Sequence, residues 1–162
     1  MFERYSQKDR RVVFWARYEA SQYGSRSIEP EHLLLGILRE RRSLHPQPSD
    51  IRKDIESHIS RGPSFSTLAE VPLSETSKRV LNLASEEAAQ LSHERIGIDH
   101  ILIALLLEQS LASQILRAHG INRFVLHEDS PAPEGDESEI DTGIPEWRQQ
   151  GSSRVRLCST AL

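Results

Sequence analysis

One cysteine, Cys158, is all that this chain of 162 residues contains, so it can close no internal disulfide. Long apolar runs are missing too: the longest, Ile101–Leu107, is far shorter than the roughly 20 residues a bilayer-spanning helix needs. The opening Met1-Phe2-Glu3-Arg4-Tyr5 passes straight into a polar helix start, which does not read as a secretory leader. These absences favour a cytoplasmic, reducing location and no membrane partner. A strong positive stripe is also lacking. The net charge is −4, and residues 130–162 carry most of it, with six acids against three arginines. That balance argues against nucleic acid as a partner. Arg39, Arg41 and Arg42, interrupted by Glu40, read as a solvated helix end.

Chemistry-bearing patterns are scarce as well. No GxxxxGK[ST] phosphate loop occurs, so no nucleotide cofactor is implied. His93-Glu94-Arg95-Ile96-Gly97 begins like a zinc-protease motif, but Gly97 stands where the second histidine belongs. His32 and His100 have no cysteine or second histidine at ligand spacing, so they read as structural and the expected metal site is none. Glu31 has no partner carboxylate or nucleophile tied to it by spacing, and its plain role is to stabilise a helix N-terminus. Cys158 has no local histidine and reads as an exposed thiol. An enzyme is therefore not expected.

What the chain does have is a repeat. Ser6–Leu38 lies over Ser74–Leu106 at a constant shift of 68 residues, with 11 identities in 33 positions. Ordinary residue usage would give roughly one identity in sixteen. Arg11/Arg79, Val12/Val80, Ala16/Ala84, Glu19/Glu87, Ala20/Ala88, Ile28/Ile96, His32/His100 and Leu34/Leu102 are among the matched pairs. Fixed spacing of this kind implies one supersecondary unit, duplicated and packed against its copy. Two related surfaces suit a binding module better than a single catalytic cleft.

Periodicity makes each unit helical. Ser6 caps a helix reaching about Tyr23, with Val12, Val13, Ala16, Ala20 and Tyr23 on its apolar stripe, and Gly24 stops it. A second helix begins at Pro30 and runs through the almost wholly apolar His32–Leu38. Ser49 is expected to cap a short helix bearing Ile51, Ile55 and Ile59, followed by a connector from Gly62 to Pro72. The second unit restarts at Ser74, with Val80, Leu81, Ala84, Ala88 and Leu91 on one face, then Ile98–Glu108 and a helix capped by Ser110. Asn122 opens a last turn through Phe124, Val125 and Leu126. Trp15 is expected in the core or between the repeats, and Phe14 on the surface. The fold class is all-α, a pseudo-twofold tandem over residues 1–129, with repeat one at about 5–61 and repeat two at about 73–127. Residues 130–162 have the composition of a flexible acidic tail, in which Trp147 and the Val155-Arg156-Leu157 patch offer points of docking.

The phrase Ile28-Glu29-Pro30-Glu31-His32-Leu33-Leu34-Leu35-Gly36-Ile37-Leu38, after a helix of the form Ser6…Arg11-Val12-Val13…Ala16…Glu19-Ala20, resembles the Clp N-terminal repeat domain of ClpA and ClpC unfoldases. The likeness spans about residues 1–126. It implies an all-α pseudo-dimer of two four-helix repeats that recruits unfolded or tagged polypeptides and Clp adaptor proteins to a Clp ATPase ring feeding a protease. Three departures accompany it. No ATPase module follows, which is expected to leave a free-standing N-domain. The 68-residue shift is short, and the loss falls at Arg39–Pro48, so the first unit is expected to keep three good helices and a remnant of the fourth. The pocket chemistry is altered as well.

In ClpC-like members each repeat can bind a phosphorylated arginine. The resemblance implies contacts from a threonine at the first-helix N-cap and a glutamate just before the repeated histidine. Ser6 and Glu31 match these positions in unit one, and Ser74 and Asp99 in unit two. A carboxylate pairs with a guanidinium through charge-assisted bonds, and helix N-terminal N–H groups receive phosphate oxygens. Serine lacks the threonine methyl, and Asp99 is one methylene shorter than glutamate. The expected function is a non-enzymatic protein-binding module serving ATP-dependent quality control. The alternatives are a regulatory decoy competing for Clp adaptors, or a small hydrolase using Glu31 or a histidine.

Overall fold

Each repeat begins on a capped helix. In the computed structural model, which describes residues 3–41, 48–66, 70–123 and 126, α1 spans Gln7–Gln22 and α4 spans Glu75–Gln90. The remaining helices are α2 (Pro30–Glu40), α3 (Pro48–His58), α5 (Ile98–Leu107) and α6 (Leu111–Ala118). These residues all belong to the unit Met1–Ser130. The expected tail, with Trp147 and Cys158, lies outside the described residues, as do Arg42, Phe124 and Val125. Every named element among those described is a helix, as the periodicity requires.

The pseudo-twofold relation shows in paired, reciprocal contacts. Ile96 N–H donates to Arg4 O at 2.9 Å, and Ile28 N–H donates to Pro72 O at 2.8 Å. Those two bonds map onto each other when the repeats are exchanged at the 68-residue shift, as do the parallel bridges Tyr5–Ile96 and Ile28–Leu73. The lead-in to each first helix is therefore tied to the loop of the other repeat. Side chains repeat the symmetry: Arg11–Glu40 at 2.6 Å has its twin in Arg79–Glu108 at 3.1 Å. Val12 and Val80 are both wholly buried.

The apolar helices α2 and α5 form the centre. Leu33, Leu34, Leu35 and Ile37 on α2, with Ile101, Leu102, Ile103 and Leu105 on α5, are essentially inaccessible to solvent. Helix α1 lies on α2, α4 lies on α5, and α3 and α6 touch each other as well as α2. Burial of each such Leu or Ile is worth about 2 kcal/mol. Three helices stand in each half among the described residues. The turn expected after Asn122 is present as a Leu126 N–H to Asn122 O bond of 3.4 Å.

Local details depart from the sequence reading in four places. Helix α3 starts at Pro48, so Ser49 sits inside the first turn and is no cap; proline's fixed φ suits that opening position. Trp15 is only half-buried, held edge-on between Phe14 and Tyr18, and what α2 sets over its ring is the Arg39 guanidinium, 5.0 Å away, in place of an apolar side chain. Leu91, placed on the apolar stripe, is exposed, whereas Tyr23 at the equivalent C-cap of α1 is buried and bonds to Glu56 of α3. Arg39 and Arg41, at the end of α2, are not a solvated end. Arg39 bonds to the buried Glu19 carboxylate and Arg41 bonds to Asp99.

The two first helices end alike but not equally well. At Gly24 φ is +68°, and Ser25 N–H closes onto Ala20 O at 2.9 Å. In the second repeat the same left-handed position is Ser92, at φ +56°, with His93 N–H on Ala88 O at 2.8 Å. A side chain there costs about 1–2 kcal/mol that glycine avoids, offset in part by glycine's freer unfolded chain. Ser92→Gly should therefore raise stability by about 0.5–1 kcal/mol in urea unfolding. A variant less stable than the parent would contradict the assignment of strain.

Candidate ligand-binding site

The four residues that the family resemblance singled out all lie at helix N-termini. Ser6 caps α1: its Oγ accepts from Asp9 N–H at 3.4 Å, while its own N–H donates to Asp9 Oδ2 at 3.2 Å. The Ser6 hydroxyl also donates to that carboxylate. Ser74 caps α4, accepting from Ser77 N–H at 3.1 Å. Ser77, which stands where Asp9 stands in the first repeat, turns its hydroxyl onto Ile28 O at 2.6 Å. Glu31 and Asp99 occupy the first turns of α2 and α5.

The fold brings these residues together across the repeats. Ser74 N–H donates to Ile28 O at 3.1 Å, three residues before Glu31, and Ile96, three residues before Asp99, is tied to Arg4 beside Ser6. Ser74 is thus bonded directly to the segment that leads into Glu31, whereas near Ser6 the tie to the segment before Asp99 is made two residues earlier, by Arg4. The sequence reading paired Ser6 with Glu31 and Ser74 with Asp99, because it could follow only the order along the chain.

The two acidic positions differ in their surroundings. Asp99 is bonded to the Arg41 guanidinium, supplied by the C-terminal end of α2. Burial raises the pKa of Asp9 above the ordinary carboxylate value, its bonds to Ser6 pull it down, and the nearby Asp99 charge raises it further. Glu31 is half-buried, and its carboxyl is raised mainly by desolvation and also by neighbouring Glu29. No ion pair to Glu31 is found among the described residues. It borders an open cleft of about 420 Å³ that is also lined by Ser25, Glu29, Arg61 and the buried His32.

The paired histidines serve the backbone. His32 Nδ1 accepts from Glu29 N–H at 3.0 Å, and His100 Nδ1 accepts from Gly97 N–H at 2.7 Å. That bond leaves the proton of a neutral ring on Nε2. In His100 this atom meets His93 Nδ1 at 2.9 Å, whereas in His32 it is buried with no partner. The His93–His100 contact was not legible in the sequence, since His93 corresponds to Ser25 in the first repeat. Asp9 and Arg41 were missed for the same reason: their counterparts are Ser77 and Gln109, so the repeat carries no signal for them. No group of three or more metal-binding side chains occurs among the described residues.

Comparison with known proteins agrees with this architecture. Residues 4–119 match the family described as the Clp repeat (R) N-terminal domain. An ATP-dependent Clp protease ATP-binding subunit ClpA homolog of Cyanidium caldarium is 31% identical over 159 residues, covering 93% of this chain and 18% of that protein. Chaperone protein ClpC1, chloroplastic, of Oryza sativa subsp. japonica is 36% identical over 129 residues, covering 74% of this chain and 14% of that protein. The chain thus spans under a fifth of the length of these relatives. Among solved structures, the N-terminal domain of the caseinolytic protease associated chaperone ClpD from Arabidopsis thaliana superposes with a TM-score of 0.64 at 25% identity, covering 79% of this chain and 92% of that one. The reciprocal repeat contacts and the match over most of the folded unit lead to one conclusion: this chain belongs to the Clp repeat N-terminal domain family.

Proposed function

We propose that the chain is a non-enzymatic recognition module that binds unfolded or tagged polypeptides, or an adaptor, on behalf of a separate Clp ATPase ring in protein quality control. The observation that carries this reading is the crossed arrangement of the repeats. Each sets a capped helix N-terminus, which favours anions, against the other repeat's segment bearing a carboxylate, which favours cations. A ligand carrying a guanidinium next to a phosphate, such as phospho-arginine within a polypeptide, is complementary to that pairing. The family supplies the context: its relatives by sequence are ATP-binding Clp subunits and chaperones.

Fluorescence anisotropy tests it, using labelled unfolded casein phosphorylated on arginine and the same casein left unphosphorylated. The phosphorylated chain should bind saturably, weaken as salt screens the charge-assisted contacts, and emerge with its mass unchanged. Glu31→Gln should weaken it about tenfold, equivalent to about 1.4 kcal/mol. Equal, non-saturable signals from both caseins would overturn the reading.

A further inference from the structure

The two pseudo-equivalent sites are not equally available, and the reason is built from this chain's own residues. At the Ser6–Asp99 side, the cap hydroxyl and the cap N–H are both taken by the Asp9 carboxylate, which is almost completely buried. Asp99 itself holds the guanidinium of Arg41. An anion on the cap serine and a guanidinium on the acidic residue are the two halves of the ligand chemistry set out above, supplied internally. Across the pseudo-twofold axis both are missing: Ser77 replaces Asp9 and sends its hydroxyl to Ile28 O, and Gln109 replaces Arg41. Glu31 has no ion-pair partner among the described residues, although burial makes its negative charge costly there.

We propose that Asp9 and Arg41 are internal occupants of the Ser6–Asp99 site, so that the domain offers one open site, at Ser74 and Glu31, for a ligand joining a guanidinium to an anion. The inference rests on the functional reading above and fixes its stoichiometry. The Arg41–Asp99 pair supplies the independent observation, because it shows a guanidinium seated on this position of the fold. Internal occupants compete at high effective concentration, since their tethering entropy is already lost on folding. An external ligand therefore has to displace two charged groups at one site, whereas at the other the cap N–H and hydroxyl of Ser74 meet only neutral partners, Ile28 O at 3.1 Å and Ser77 Oγ at 3.2 Å.

Isothermal titration of free phospho-arginine into the 162-residue chain should give one equivalent, abolished by Glu31→Gln. The double variant Asp9→Ser, Arg41→Gln, which copies the residues of the other repeat, should give two equivalents. If the double variant does not melt cooperatively, Arg41→Gln alone should show a second, weaker equivalent. Nitrogen-15 NMR of the arginine side chains adds a test free of ligand: Arg41 guanidinium protons should exchange slowly, and Asp99→Asn should speed them at least about tenfold. Two equivalents in the parent chain, one in both parent and folded variant, or Arg41 exchange indifferent to Asp99→Asn overturns the inference while the functional reading stands. No heat with any of these chains overturns the open site together with the ligand class on which it rests.

Discussion

Gly36→Ala should cost about 2–3 kcal/mol of stability, the price of inserting one methyl where two helices touch through their backbones. A Cβ at Gly36 would lie 2.5 Å from Val12 O and 3.0 Å from Ala16 N. Those atoms belong to α1 and are held in its hydrogen-bond ladder, so neither can turn aside. Helix α1 has to lift as a body from α2, loosening contacts around Val12, Ala16 and Ala20, all wholly buried. Alanine's better helix propensity returns up to about 1 kcal/mol, which is included in the expected net loss. The other repeat provides the control, because its counterpart is already Ala104. Ala104→Gly should cost about 1 kcal/mol, through propensity and chain entropy and not through a clash. Urea unfolding of both variants decides the matter. Equal stability of Gly36→Ala and the parent would show that the α1–α2 approach is not as close as described.

Acid should destabilise the domain through His32 by about 3 kcal/mol between pH 6.5 and 4. Burial pushes this ring down to about 4, against the opposing fields of Glu29 and Glu19. The sign follows from proton counting. In that window the unfolded chain's histidine is protonated and the native one is not, so stability falls as pH falls. His100 is lowered for the same leading reason, with His93 adding to it, and acts in the same direction. Asp9 and Glu31 act oppositely, since their carboxyls are raised by burial and the native state takes up those protons first. His32→Asn isolates the histidine, because the amide oxygen can accept the Glu29 N–H that Nδ1 now accepts. Unfolding free energies of parent and variant at several pH values should converge as pH drops from 7 to 4. Parallel profiles would show that His32 is not held neutral by its surroundings.

Much of the fold could be read from local rules. Ser6 and Ser74 cap their helices, Pro30 opens α2, and Gly24 and Gly120 take up left-handed conformations. All are governed by sterics and hydrogen bonding within a few residues. The apolar phrase around His32 and its repeat at His100 placed the core, because only burial accommodates helices so uniformly greasy. Misplacements came where exposure depended on a neighbour. Trp15 and Leu91 carry the apolar pattern, but the first meets an arginine of the neighbouring helix and the second stays exposed at a helix end.

The candidate site was only partly legible. The resemblance to ClpC-like domains pointed to Ser6, Glu31, Ser74 and Asp99, and the duplication set them in two equivalent pairs. What it passed over were Asp9 and Arg41, the residues that differ between copies and on which the inferred asymmetry turns. Arg41 lies 58 residues from its partner Asp99, and no periodicity links them.

The amino-acid order by itself determined that two like helical blocks exist, where each helix begins, and which faces must be dry, because caps, proline, glycine and apolar spacing act over a turn or two of chain. Only the tertiary structure decided that the lead-in to each block's first helix is tied to the loop before the other block's acidic residue, and that one of the two acidic positions already holds an arginine. Those facts depend on how the halves cross, and a crossing is set by the fit of two buried surfaces that no local stretch of residues contains.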